Sequence, residues 1–265
     1  MKNISILGCG WLGKALGLAL HQHGFEVAGS TTQESKVHEL RFLGIKPYVL
    51  QLTPAVQGEN ANEFFKTDCL IISIPPKLRS GSSEIYVAQL EEVASIIRSE
   101  KIEHVIFISS TAVYADRNRV VTEEDADANS PLLLAEDIIR EACSNTTVIR
   151  FAGLVGPGRH PGKFLAGKKD VAGGSNPVNI IHQSDCVAII IKIIQQHCWG
   201  EVFNATADMH PTKNDFYTHA ARQLKLEPPQ FSTEAAGFKI ISTEKVKHVL
   251  AYEFQYPDPM EMQYD

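Results

Sequence analysis

Six residues, Gly8-Cys9-Gly10-Trp11-Leu12-Gly13, constrain this chain most, because a strand-like run leads directly into them and a helical pattern opens on them. The run is residues 3–7, short and apolar. The pattern is residues 11–23, which sets Leu12, Leu16, Ala19 and Leu20 on one face, with Gly24 placed to end the helix. In this context each glycine has a separate reason. Gly8 permits a sharp turn, Gly10 lets the backbone approach a pyrophosphate with no Cβ in the way, and Gly13 lets helix pack on strand. Amides and the positive dipole end of the helix then suit phosphate groups. A tight glycine turn with no ligand is the alternative.

The first half of the chain continues in the same rhythm. Residues 25–29, 47–52, 69–74, 104–109 and 146–150 read as further strands, and residues 85–99 and 132–142 as helices between them. Most of these strands are continuous apolar runs, as expected when helices cover both faces of a parallel sheet. The predicted fold is α/β, a Rossmann-type doubly wound parallel sheet with a small C-terminal lobe. Its core would span residues 1–155, with 178–205 returning to the sheet, and residues 156–177 and 206–265 would form the lobe on the substrate side. Gly156-Pro157-Gly158 and Gly173-Gly174 mark the loop-rich passage, and helical spacing returns at 185–195. A helix over 211–224, a strand near 239–242 and a helix over 243–250 complete the reading.

Composition excludes several classes. A formal charge of −6 with scattered Lys and Arg offers no field for nucleic acid or anionic lipid. The five cysteines, Cys9, Cys69, Cys143, Cys186 and Cys198, fit neither a disulfide framework nor a zinc ribbon, so a reducing cytoplasm is the expected location. Lys2 and the apolar residues after it do not make a signal segment, since Cys9 follows too soon and Lys14 interrupts the later run. No run approaches the ~20 apolar residues of a membrane span. His21 and His23 point to different helix faces and share no metal; none is expected.

An acidic residue ~20 positions after the glycines would hold the ribose 2′-hydroxyl of NAD. None stands there. The second strand runs into Ser30, Thr31 and Thr32, with Lys36 close behind, which suits the extra phosphate of NADP. NADP is therefore the preferred cofactor and NAD the other, although the three hydroxyls also suit the capping of a following helix. Ile74, Pro75 and Pro76, after the fourth strand, should flank the adenosine ribose.

Several stretches, taken together, resemble the extended and atypical short-chain dehydrogenase/reductase superfamily, the NAD-dependent epimerase/dehydratase family, and its YeeZ-like members. They are the glycine turn, the run from Phe107 through Ser109 to Tyr114, the run from Ile149 to Arg159, Asn179 to Asp185, Phe203-Asn204-Ala205 and Tyr256-Pro257-Asp258. The resemblance covers nearly the whole chain and implies a seven-stranded parallel sheet. It also implies a Ser four residues before the Tyr of a Val-Tyr motif, which is Ser110, and a Tyr-x-x-x-Lys pair on the next helix. Aligning the start of that helix on Ser130-Pro131 puts Leu132 and Glu136 at those two positions. From Ala115 to Asn145 the chain has neither a tyrosine nor a lysine. The usual acid–base step, typically worth ~10²–10⁴-fold, lacks its groups. Gln51 stands where many relatives carry an Asp near the adenine.

Substitute groups are few. Tyr114 would lie near the reactive end of the cofactor, His160 titrates near neutrality in the rim loop, and Arg159 is placed to clamp a substrate carboxylate or phosphate. Each also has a plain structural reading, as does His182. Two functions remain open. One is an NADP-linked oxidoreductase or epimerase retaining Ser110 and acting on a small molecule; the other is a non-catalytic NADP(H)-binding sensor or regulatory protein. A homodimer is a candidate assembly.

Overall fold

The computed structural model describes residues 1–76 and 83–264. Its main sheet has seven strands: β1 Asn3–Leu7, β2 Glu26–Thr31, β3 Ile45–Val49, β4 Cys69–Ile72, β5 His104–Ser110, β6 Thr146–Phe151 and β7 Val202–Ala205. Their spatial order is β3-β2-β1-β4-β5-β6-β7. β1 pairs with β2 and β4, β2 with β3, and β4 with β5, each in parallel. The chain therefore builds outward from β1 to β3, then returns to start β4 on the other side of β1. Such a reversal opens a crevice at the carboxyl ends of the strands, where open α/β sheets bind ligands.

Burial explains the apolar runs. Every residue of β4 and of β6 is buried, as are the last four of β1. The helices longer than one turn are α1 Trp11–Gln22, α2 Val37–Phe42, α3 Ser83–Glu100, α4 Pro131–Ala142, α5 Gln183–Gln196, α6 Lys213–Gln223 and α7 Glu244–Leu250. Helix α1 ends as its glycine predicts. Gly24 has φ +86° and donates to His21 O at 2.9 Å, while the Phe25 amide reaches back to Leu20 O at 3.2 Å. Helix α4 starts on Ser130, whose hydroxyl accepts from the Leu132 amide at 3.3 Å, with Pro131 in the first turn.

The element boundaries differ from expectation in instructive places. Strand β2 runs on through Thr31, and β3 begins at Ile45 rather than at residue 47. The expected strand 47–52 is broken after Val49, because Gln51–Leu52 turns away to pair antiparallel with Val56–Gln57. Strand β4 stops at Ile72, two residues before the expected end, ahead of Pro75 and Pro76, which have no amide to donate. Helix α6 begins at Lys213 because Thr212 Oγ1 accepts from the Asp215 amide at 3.1 Å. The late strand is Ile240–Ile241, paired with Val120–Val121.

The chain divides into two compact units: Met1–Val113 with Ala128–Ile149 and Ile190–Val202, and Tyr114–Asp127 with Arg150–Ile189 and Phe203–Asp265. The first holds β1 to β5 and the glycine turn. The second has its own apolar cluster, in which Val155, Val178, Ile180, Ala207, Phe216 and Met262 are buried. Among the described residues, no helix is long and apolar enough to cross a membrane.

Candidate functional site

The three glycines of the first turn do different things. A Cβ on Gly8, whose φ is +104°, would lie 2.5 Å from Ser73 O, and one on Gly13 would lie 2.5 Å from Gly8 O. Backbone fills both places. A Cβ on Gly10 would meet nothing within 4 Å. Gly10 thus guards space that the protein itself does not occupy.

The amides of the turn divide in the same way. Gly8 N donates to Ser30 Oγ, Cys9 N to Ser30 O and Gly10 N to Gly8 O, each at 2.8 Å. Those bonds shape the turn. Helix α1 has no side-chain cap and no acidic residue in its first turn, so the amides of Leu12 and Gly13 have no partner within the helix. The Leu12 side chain is buried and Trp11 is half-buried. Cys9 turns inward, with its thiol over Gly29 and its pKa pushed up to about 12 by burial. Read from sequence as a cofactor-facing residue, Cys9 instead forms the inside of the turn. Ile74, just after β4, lies beside Gly8, with Pro75 and Pro76 following it.

At the end of β2 the hydroxyls separate. Ser30 is buried and braces Gly8, while Thr31 Oγ1 accepts from the Gln33 amide at 3.2 Å. Thr32 is exposed, and its carbonyl accepts from Gln51 Nε2 at 2.9 Å. Lys36 is half-buried in the short turn Glu34–Lys36. Lys14 is paired with Glu39 at 2.5 Å.

At the end of β5, Ser109 Oγ donates to Glu136 Oε1 at 2.6 Å. Ser110 Oγ accepts from the Ala112 amide at 3.2 Å. Leu132 and Glu136 lie one turn apart on the inner face of α4, 3% and 1% exposed. An aliphatic chain and a carboxylate therefore occupy the places that the family resemblance assigns to a phenol and an ammonium. Tyr86 of α3 is also buried; burial, and then the charge of Glu136, hold its phenol above the usual range. The Ser109–Glu136 bond was not read from the sequence, since nothing local marks a pairing across 27 residues.

Tyr114, Arg159 and His160 lie in the second unit. Tyr114 is buried; its hydroxyl donates to Asn204 Oδ1 at 2.6 Å and accepts from Arg150 Nη1 at 2.8 Å. Arg150 also reaches Glu123 O at 2.8 Å and lies over the Tyr114 ring. With donor and acceptor both committed, and burial holding the phenol pKa up, Tyr114 is built as a structural post rather than the acid it was a candidate for. His160 Nδ1 accepts from the Gly162 amide at 3.0 Å, and its ring packs 4.3 Å from Tyr264. Arg159 is exposed at the close of a tight turn, its amide donating to Gly156 O at 2.8 Å.

Two further anchors are visible only in three dimensions. Asp185 stands in the first turn of α5, as expected of a helix-starting residue. Its carboxylate, however, accepts from Tyr252 Oη and the Gln255 amide at 2.7 Å and from the Tyr256 amide at 3.3 Å. Burial holds its pKa above the usual carboxylate value. His182 Nδ1 accepts from the Ser184 amide at 3.2 Å, so Nε2 carries the proton and donates to Gln263 O at 2.8 Å. Burial lowers its pKa. Both residues tie down the C-terminal segment.

No family model matches the chain. Protein YeeZ of Escherichia coli K12 is 36% identical over 272 residues, covering 99% of each chain. Among solved structures, a conserved protein of unknown function from Silicibacter pomeroyi superposes with a TM-score of 0.78 at 21% identity, over 98% of this chain and 96% of that one. UDP-glucuronic acid 4-epimerase from Bacillus cereus, solved with NAD, also gives 0.78, at 16% identity over 98% and 94% of the two chains. Those structures share the fold, and the close full-length relative fixes the lineage: the chain belongs to the YeeZ-like branch of the extended short-chain dehydrogenase/reductase superfamily.

Proposed function

We propose that the chain binds a nicotinamide dinucleotide at the carboxyl edge of its sheet, with the diphosphate on the amides that open α1. One observation carries this reading: Gly10 faces open space beside an uncapped helix start, while Gly8 and Gly13 are packed against backbone. That arrangement is a cradle a side chain would fill, and the diphosphate fits it. The printed description of the Bacillus cereus epimerase, a complex with NAD, supports the same reading. Leu12 and Gly13 would hold the diphosphate, and Ile74 would flank it. NADP is the preferred form, because the outward-facing Thr32 and the half-buried Lys36 stand at the end of β2 where NAD-selective domains place an acid.

The bound cofactor would supply hydride transfer. The chain would act as an oxidoreductase or epimerase on a small molecule, with Ser110 the retained hydroxyl and Arg159 the substrate clamp, in the cytoplasm and without nucleic acid or membrane as partner. A second reading, a dinucleotide sensor without turnover, is favoured by Leu132 and Glu136. Thermal denaturation with NADPH and NADH tests binding: a ligand of the folded state must raise the melting temperature. No shift with either at millimolar concentration contradicts it. Oxidation or reduction of the bound nicotinamide in the presence of sugar nucleotides or small carbonyl compounds separates enzyme from sensor.

A further inference from the structure

We propose that Glu136 makes the site selective for the oxidised dinucleotide. The selectivity, which rests on the binding reading above, follows from where the sheet order puts this carboxylate. With the diphosphate over β1, the two halves of the molecule run to opposite sides of the reversal point. The adenosine half lies towards β2, whose end stands where the adenosine ribose is read. The nicotinamide half therefore lies over β4 and β5. Strand β5 is two strand spacings from β1, about 10 Å, which a mononucleotide spans.

At the end of β5 stands the bond from Ser109 Oγ to Glu136 Oε1, 2.6 Å long. The hydroxyl donates, so it orients a carboxylate acting as acceptor. Glu136 is 1% exposed, and a charge at that depth is screened less by water and salt than one at the surface. The oxidised nicotinamide ring is a cation and the reduced ring is neutral. A buried negative charge nearby attracts only the first. Across several ångströms at an effective dielectric constant of about 20, such an attraction corresponds to roughly ten- to a hundredfold in affinity. A lysine at this position would act in the opposite sense. The effect works through space and needs no contact between Glu136 and the ring. It would let the protein report or exploit the oxidised fraction of the cofactor pool, whether or not the site turns over.

Isothermal titration with NADP⁺, NADPH, NAD⁺ and NADH tests this on the full chain and on Glu136→Gln and Glu136→Asp. The expected result is that the wild type binds the oxidised form of its preferred pair at least about tenfold more tightly than the reduced form. Glu136→Gln should lose that preference by about the same factor, and Glu136→Asp should keep most of it. Equal affinity for both redox forms in the wild type overturns the proposal even if no variant folds. An undiminished preference in a folded Glu136→Gln protein overturns it too, and in both cases dinucleotide binding itself survives. Failure of all four nucleotides to bind the wild type removes the binding reading and the selectivity together.

Discussion

The glycine turn and the Ser109–Glu136 end of β5 lie on the same edge of one sheet, yet they are built to different standards. At the turn, every feature agrees with holding a diphosphate: two glycines fixed by backbone, a third facing open space, and a helix start left uncapped. At the far end the fold is intact but the chemistry is not, since Leu132 and Glu136 stand in the acid–base positions. Binding by main-chain amides depends on backbone path, which many side-chain changes leave alone. Proton transfer depends on two particular side chains and is lost with them.

The sharpest way to break this contrast is to restore the chemistry. Leu132→Tyr with Glu136→Lys should raise carbonyl reduction by about 10²–10⁴-fold if the pocket still accepts substrate. Unchanged turnover with cofactor affinity intact would mean that the site is no longer arranged for hydride transfer.

The two kinds of glycine offer the next test. Gly13→Ala forces a Cβ towards Gly8 O and should cost about 3 kcal/mol in a denaturant titration, along with dinucleotide affinity. Gly10→Ala should cost under about 1 kcal/mol of stability and still weaken binding at least tenfold. Equal loss of stability in the two variants would erase the distinction between packed and open glycines.

A smaller effect is expected from cofactor choice. At equal concentration NADPH should raise the melting temperature by a few degrees more than NADH. Thr32→Asp should reverse the order, and a larger shift with NADH in the wild type would contradict the assignment of the β2 end.

The smallest effect lies in the second unit. Folded His182 holds a proton less readily than the unfolded chain does, so its contribution is whole above about pH 6.5 and is lost as pH falls through its lowered folded value. Melting temperature should therefore decline between pH 7 and pH 5, and His182→Gln should flatten that decline. An identical slope in the variant would remove His182 as the cause.

The sequence made the first region legible because its signals are local. Strand, glycines and helix follow one another within twenty residues, and Gly24 ends α1 where its position predicted. Leu132 and Glu136 were equally readable, as departures from a spacing on one helix. What escaped was whatever depends on pairs distant in sequence. Ser109 with Glu136, Tyr114 with Arg150 and Asn204, and Asp185 with Tyr252 are each built by residues that carry no mark of their partner. The hairpin at Gln51–Leu52 escaped for another reason, since its apolar character continues that of β3 and periodicity alone does not show a change of direction.

A crystal of the full chain grown or soaked with millimolar NADP⁺ tests the central claim most directly. Diphosphate oxygens within hydrogen-bond distance of the Leu12 and Gly13 amides, with the nicotinamide towards β5, are the predicted result. An empty groove at that concentration, or a nucleotide bound elsewhere, would contradict it.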